Sequence, residues 1–534
     1  MGSIPYLKQQ GSAHLLMVHE KPFLMLAGEV HNSNSSSVEY MEGVWDQAQA
    51  LGMNTLLLPI PWETLEPEEG RFDFTLVDGL IAQARRRNKH LILLWFGSWK
   101  NGECMYAPAW VKTDLARFRR GQIVKGKNKA SRDRRYPLLY TTLSYLCEET
   151  CRADARAFAR LMAHLRETDS EENTVVAVQV ENESGLLGAA REMSDEADEA
   201  FAGSVPVELT AYLRAHTETM VEDVRKAVLS GAAKGSWVEQ FGAVAEEIFS
   251  AYYVARYVGR VAAAGKAEYP LPMAVNCWLD KGDVPGTYPT GGPVSRVREV
   301  WCFAAPAIDL YGPDIYVPDF CGICDEYTRR GEALFIPESA THSYAASRLV
   351  YAVGHYHALC CAPFGFEDMG KPFNDVQAYL FGVDVNDPAL KTPQDPEEYA
   401  CLVHHLAGLA PLLTEHCGTA ALQAASCERK EENVLDFGSF RVTAIFDHPL
   451  IARRDGVCLG LRTGEDSCIL LVNGCALVLG SGMPDKPNVD ILSAEEGFMR
   501  EGEWHTIRRL NGDETSMMKF ERPTLLRLRV FVYA

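Results

Sequence analysis

Eight short apolar segments, each followed by an amphipathic stretch, recur through residues 1–385, and this alternation narrows the possible folds more than any other feature of the chain. The segments are Phe23–Glu29, Met53–Ile60, His90–Gly97, Thr174–Glu181, Leu271–Trp278, Ile308–Tyr316, Ala333–Glu338 and Leu359–Phe366. They are nearly continuous in apolar character, which is how parallel strands covered on both faces read. The stretches between them carry helix signals. Ser36 and Glu39 have capping-box spacing, and Val38, Met41, Trp45 and Ala48 recur at helical intervals until Gly52. Strands alternating with helices predict an α/β fold, a (β/α)8 TIM barrel, with a doubly wound sheet as the alternative.

One connection is long. Residues 190–268 read as a helical insertion (Glu208–Leu229, then Val238–Ala264) that would lie over the C-terminal rim of the barrel. Beyond the barrel, expected over 1–385, residues 386–429 read as a helical connection, with 396–425 helical. Residues 430–534 break into short strands separated by Gly- and Asp-containing turns (Phe440–Phe446, Val457–Arg462, Cys468–Val472, Leu525–Val532), which predicts an antiparallel β-sandwich domain.

Charge removes some classes of function. With 72 acidic against 52 basic side chains the net charge is −20, and such a surface repels nucleic acid and anionic membranes. No stretch approaches the length of a membrane span, and the N-terminal residues lack the basic start and apolar core of a signal peptide, so a cytoplasmic location is expected. The 15 cysteines show no framework spacing and read as reduced and mostly buried. The sharper reading is zinc held by Cys321 and Cys324 together with Cys147 and Cys151. No Gly-rich phosphate loop or dinucleotide fingerprint is present, and no metal or cofactor is expected.

In a barrel, reactive groups collect at the C-terminal ends of strands. The fourth segment runs into Glu181-Asn182-Glu183, and the seventh ends in Glu338. An ionised group after such an apolar run is costly unless it faces a polar cavity. Other strand ends add Glu29, His31 and Asn32; Trp62 and Glu63; Trp99, Lys100 and Asn101; Asp314 and Tyr316; and Glu367. Aromatic rings beside carboxylates and amides suit sugars, whose C–H faces stack and whose hydroxyls take paired hydrogen bonds. Two glutamates across one barrel mouth supply the acid and the nucleophile that a retaining glycosidase needs.

Gln179-Val-Glu-Asn-Glu183-Ser-Gly resembles the acid/base motif of glycoside hydrolase family 35 β-galactosidases. The run Pro61-Trp-Glu-Thr-Leu-Glu66-Pro-Glu-Glu-Gly-Arg-Phe-Asp-Phe74 is similar to the segment after strand two in the same clan of retaining (β/α)8 glycosidases, and Phe335-Ile-Pro-Glu338 to its nucleophile strand. Leu94–Gly102, Ala362–Glu367 and Arg509–Thr515 resemble a bacterial branch with a C-terminal β-rich domain. The resemblance implies Glu183 as acid/base, Glu338 as nucleophile and Asn182 as donor to the sugar 2-hydroxyl. It also implies hydrolysis of terminal β-D-galactosyl residues from an oligosaccharide or glycoconjugate.

The chain departs from better-known animal and fungal members. It has Gly97-Ser98-Trp99 where they have Ala-Glu-Trp, and Pro59 near their tyrosine. Glu29, Glu63, Lys100, Asn101 and Glu367 are the residues expected to hold galactose instead, with Trp62, Trp99 and Tyr316 beside them. The alternatives are a retaining β-glycosidase of another specificity (β-glucosidase-like or β-glucuronidase-like) and an inactive carbohydrate-binding barrel. A homo-oligomer is compatible with the sequence.

Overall fold

The computed structural model describes residues 3–126, 130–131, 139–372, 391–451 and 455–534. The sequence boundary placed at 385/386 falls outside them. The protein is mixed α/β, with a parallel half-barrel sheet and a C-terminal β-rich region. The eight predicted segments yield, in chain order, β1 (Ala27–Glu29), β2 (Thr55–Pro61), β3 (His90–Lys100), β4 (Val175–Asn182), β5 (Met273–Trp278), β6 (Leu310–Asp314), β7 (Phe335–Ser339) and β8 (Cys360–Pro363). The chain divides into two compact units, Met1–Tyr6 with Asn32–Glu42 and Leu57–Asp314, and Leu7–His31 with Gly43–Leu56 and Ile315–Ala534.

In the first unit the strands run in the order β6-β5-β4-β3-β2. β3 and β4 are parallel from Leu91 opposite Val175 to Trp95 opposite Val180, and pairing resumes only at Lys100 opposite Asn182. Four residues of β3, Phe96 to Trp99, therefore stand against Glu181 alone. This long bulge carries β3 past its expected end at Gly97 and turns its backbone toward β4. Every residue of β4 is buried, and its N-terminal end is tied by Asp169, whose carboxylate accepts from the N–H groups of Thr174 and Val175 at 3.1 and 2.7 Å.

The insertion is helical but more broken than its periodicity predicts. Glu208–Leu229 is interrupted between Val207–Ala215 and Glu222–Ser230, and the second stretch divides into Trp237–Phe241 and Ala245–Glu268. The Ser36–Glu39 capping box does not form. Ser37 lies next to the helix Val38–Ala50 and accepts from the Tyr40 N–H, while Ser36 donates to the Ser33 carbonyl. A capping box does form at Ser236 and Glu239.

At the start of the insertion Glu192 is buried and accepts from Ser144 Oγ at 2.8 Å, and burial pushes its carboxyl up to about 7. A carboxyl raised in the fold contributes stability that is complete below its unfolded value and is lost as pH rises through the folded value. Glu192→Gln is expected to remove that loss, worth about 3 kcal/mol between pH ~4 and 7. Thermal midpoints of the two proteins across this range check it, and parallel curves would contradict it.

In the second unit β7 pairs in parallel with β8, Phe335 opposite Cys360 and Ser339 opposite Pro363, and Glu29 at the end of β1 bridges to Phe364 after β8. The helix Pro396–His416 ends nine residues before its expected limit at 425, and Leu422–Ser426 is a strand. Among the described residues a sheet of six antiparallel strands, in the order Leu422–Ser426, Val457–Arg462, Ser467–Asn473, Thr524–Tyr533, Asn488–Arg500, Glu503–Leu510, shares one core with a smaller sheet. The smaller sheet includes Phe440–Ile445 and Cys475–Ser481. Phe437, Phe440, Val442 and Leu477 meet Cys468, Leu470, Val472, Leu526 and Leu528 there, so alternate residues of both sheets face inward.

All 15 cysteines are free thiols. Cys321 and Cys324 are buried on the single helix Phe320–Thr328, and no cluster of cysteines with metal-binding spacing exists among the described residues. Burial instead pushes the Cys321 thiol up to about 12, which suits an apolar thiol.

Candidate active site

In the first unit the backbone at the end of β4 turns left-handed twice, at Glu181 (φ 62°) and at Glu183 (φ 44°). Each such residue costs about 1–2 kcal/mol for a side chain with a Cβ, and persists only where its surroundings hold it. The Glu183 N–H donates to Asn276 Oδ1 at 2.9 Å, and the Glu183 carbonyl accepts from the Gly102 N–H at 3.0 Å. Asn276 Nδ2 in turn donates to Asp314 Oδ2 at 2.9 Å, and one carboxylate oxygen of Asp314 lies within 4.8 Å of one of Glu183. Between the two turns, Asn182 accepts at Oδ1 from Lys100 Nζ at 2.8 Å, which orients its amide. Glu183, Asn182 and Lys100 are all buried.

The rest of the first-unit candidates divide. Trp99 is buried edge-on against Tyr257, with ring centroids 4.7 Å apart. Trp62 is fully buried. Its Nε1 donates to Glu66 Oε2 at 2.9 Å, and its ring packs between Trp95 and Trp110, which makes it a core residue of this unit. Glu63 is exposed and paired with Lys112 at 2.9 Å. Asn101 is exposed at a left-handed position (φ 54°).

In the second unit Glu338 stands on β7 and is buried, and it accepts at Oε2 from the Tyr316 hydroxyl at 2.7 Å. Its carbonyl accepts from the Ile315 N–H at 2.9 Å, which holds the strand end beside Tyr316. Glu29 is fully buried at the end of β1, and its carbonyl accepts from Gly365 N–H at 2.8 Å. Glu367 accepts from the His31 N–H at 3.2 Å, and the His31 ring meets Asp368 Oδ2 at 2.8 Å. Glu183 in the first unit and Glu338 in the second are thus each buried at the end of a parallel strand, with a polar neighbour that fixes the setting.

Sequence reasoning missed Asn276 and two residues beneath the site, Asp154 and Tyr257. Asn276 interrupts the otherwise apolar run of β5. Asp154 occupies the apolar stripe Cys151, Asp154, Phe158, Leu161, Leu165 of the helix Glu148–Asp169. A carboxyl at such a position is a legible signal, because it is buried wherever the stripe is buried.

Residues 39–228 match the model of glycoside hydrolase family 42, described as beta-galactosidase, and residues 403–521 match a domain of unknown function. A beta-galactosidase of Xanthomonas manihotis is 29% identical over 172 residues, which are 31% of this chain and 24% of that protein. The chain therefore spans about a quarter of the length of the curated relative it matches. Among solved structures, beta-galactosidase from Bacillus circulans sp. alkalophilus aligns at 14% identity and a TM-score of 0.46, over 72% of this chain and 56% of that one. Exo-beta-1,4-mannosidase Op5Man5 from Opitutaceae bacterium strain TAV5 aligns at 13% identity and a TM-score of 0.41, over 72% and 60%. The matching family is 42, so the likeness to beta-galactosidases holds without the family 35 assignment that the motifs suggest.

Proposed function

We propose that the protein is a retaining exo-acting glycosidase that releases terminal β-D-galactosyl residues, with β1 to β8 closing as a (β/α)8 barrel. The observation that carries the reading is the pair of buried carboxyls, Glu183 and Glu338, each at the end of a parallel strand and each set by named partners. The match of residues 39–228 to a beta-galactosidase family supports the substrate class.

Glu338 is the nucleophile. It attacks the anomeric carbon as the bond to the departing oxygen breaks, and Glu183 gives that oxygen its proton. The sugar is then an ester of Glu338. Water, deprotonated by Glu183, attacks the same carbon from the face the leaving group left, and the two inversions restore the β configuration. Tyr316 donates to Glu338 before attack, so its hydroxyl follows the charge of the nucleophile. With Asn182 Oδ1 engaged by Lys100, the amide presents its N–H side to the sugar 2-hydroxyl. The chemistry needs the two carboxyls about 5 Å apart.

A side-by-side screen of aryl β-galactoside, glucoside, fucoside, arabinoside and glucuronide tests the reading. Turnover of the galactoside alone, lost in Glu183→Gln and Glu338→Gln, is expected. Preference for another glycoside discards the galactose claim and keeps the two glutamates. Sugar binding without cleavage of any of them discards the mechanism.

A further inference from the structure

Two residues before Glu183 on β4, Glu181 points into the first unit's interior against Asp154, and both are essentially inaccessible to solvent. Asp154 accepts from Trp95 Nε1 at 2.8 Å, from Ser98 Oγ at 2.6 Å on the bulge of β3, and from the Tyr257 hydroxyl at 3.2 Å, which also lies 2.7 Å from Ser98 Oγ. Glu181 Oε2 accepts from the Trp99 N–H at 2.8 Å. Its other oxygen, Oε1, receives no N–H or O–H from the described residues. Oε1 faces Asp154 across Gly97: a Cβ at that glycine would stand 2.7 Å from Glu181 Oε1 and 2.8 Å from Asp154 Oδ1. No lysine, arginine or histidine among the described residues forms an ion pair with either carboxyl. Two carboxyls this close and this deeply buried do not both ionise.

We propose that Asp154 and Glu181 hold a single proton between them, carried by Glu181 and donated to Asp154 Oδ1, and that this shared proton is the positioning device for Glu183. The three donors on Asp154 favour its ionised form, and the bare Oε1 on Glu181 is where a proton completes the hydrogen bonding. Burial and the Asp154 charge both hold the Glu181 carboxyl well above its usual range. The proton joins the helix Glu148–Asp169 to β4 and, through Trp99, to the bulge of β3. That leaves Glu181 in its left-handed conformation and sets the next turn, at Glu183. Loss of the proton places two negative charges across Gly97 and drives these elements apart.

The titratable groups facing the pair are Cys151 on the helix of Asp154 and Tyr257 on the helix Ala245–Glu268. Burial pushes the Cys151 thiol up to about 12 and the Tyr257 phenol well above its usual value, so both are uncharged at neutral pH. Arg260, beyond Cys151, is taken up by Glu148 through two contacts of 2.6 Å. The inference rests on Glu183 as the acid/base, and the tests separate the two.

Glu181→Gln keeps the shape and the single negative charge, and its amide donates permanently to Asp154. In the wild-type protein kcat/KM is expected to fall on the alkaline side as Glu183 ionises and as the shared proton leaves and displaces it. In E181Q only the ionisation of Glu183 remains, and the limb moves up by about one pH unit or more. Glu181→Ala is expected to lose about a hundredfold in kcat with little change in KM, and E181Q to recover most of it. Asp154→Asn turns an N–H either against the Trp95 N–H or against the Ser98 and Tyr257 donors, so it is expected to be worse than E181Q. Independently of any glycoside, infrared spectra at neutral pH are expected to show a protonated-carboxyl carbonyl band that E181Q lacks, the Glu192 contribution being common to both proteins. Absence of that band overturns the shared proton, whether or not the protein is a galactosidase. A band present with an unmoved alkaline limb overturns its role in positioning Glu183.

Discussion

Glu338→Gly is expected to lower kcat/KM on an aryl β-galactoside by about four orders of magnitude or more, the effect of deleting the group proposed to form the covalent intermediate. The cavity left by the carboxylate admits a small anion, and azide is expected to restore turnover by attacking the carbon from the side that Glu338 occupied. The product is then the α-galactosyl azide. Glu183→Ala gives the opposite signature. Its glycosyl-enzyme forms readily from substrates with good leaving groups, and azide intercepts that ester to give the β-galactosyl azide. The configuration of the azide assigns each glutamate its role, which a loss of rate alone does not. An α product from the Glu183 variant would reverse the assignment of the two residues.

Glu428→Ala is expected to destabilise the second unit by about 3–5 kcal/mol, the largest stability effect anticipated from a single substitution in this chain. Arg348, on the buried helix Ala345–Gly354, is 4% exposed and meets Glu428 through two bonds, Nη2 to Oε1 at 2.6 Å and Nε to Oε2 at 3.0 Å. Nη2 also donates to the Pro318 carbonyl at 2.9 Å, and the guanidinium lies over the Phe320 ring. Arginine does not escape burial by losing its proton, so removing Glu428 leaves a charge beneath the sheet that begins at Leu422. Replacing both partners, Arg348→Met with Glu428→Leu, is expected to recover most of the loss, since apolar groups of similar size avoid the desolvation cost. Thermal midpoints of the single and double variants measure this. A shift below about 1 kcal/mol for Glu428→Ala would place the pair with ordinary surface contacts.

The strands were legible because strands covered on both faces must be apolar throughout, and each of the eight segments overlaps one. Their edges were not. Phe23 belongs to a separate strand, Lys21–Phe23, paired antiparallel with Ala13–Val18, because an apolar run does not reveal which neighbour its backbone will choose. The predicted capping box is absent, and the serine that accepts from the first turn is Ser37 rather than Ser36, since the two are equivalent until the turn before them forms. Glu183, Asn182 and Glu338 stood out as polar groups closing apolar runs. Trp62 and Glu63 stood at a strand end too, but the turn after β2 buries one in the core and leaves the other in solvent. What sequence reading lacked was the support of the site. Asp154 and Tyr257 arrive from helices far along the chain, and only packing brings them under the bulge of β3.

Gly97 ties that support to the Gly97-Ser98-Trp99 segment of β3. The segment Gly97-Ser98-Trp99 fits only because position 97 has no Cβ to meet Glu181 and Asp154 and position 98 gives Asp154 a hydroxyl. An Ala-Glu-Trp segment grafted here would set a methyl group against both oxygens and a third carboxyl where the hydroxyl now donates. The segment and Asp154 are therefore fitted to one another, and a change in one disturbs the other. A change in this part of β3 therefore calls for a matching change in the helix Glu148–Asp169, at a residue that solvent never reaches.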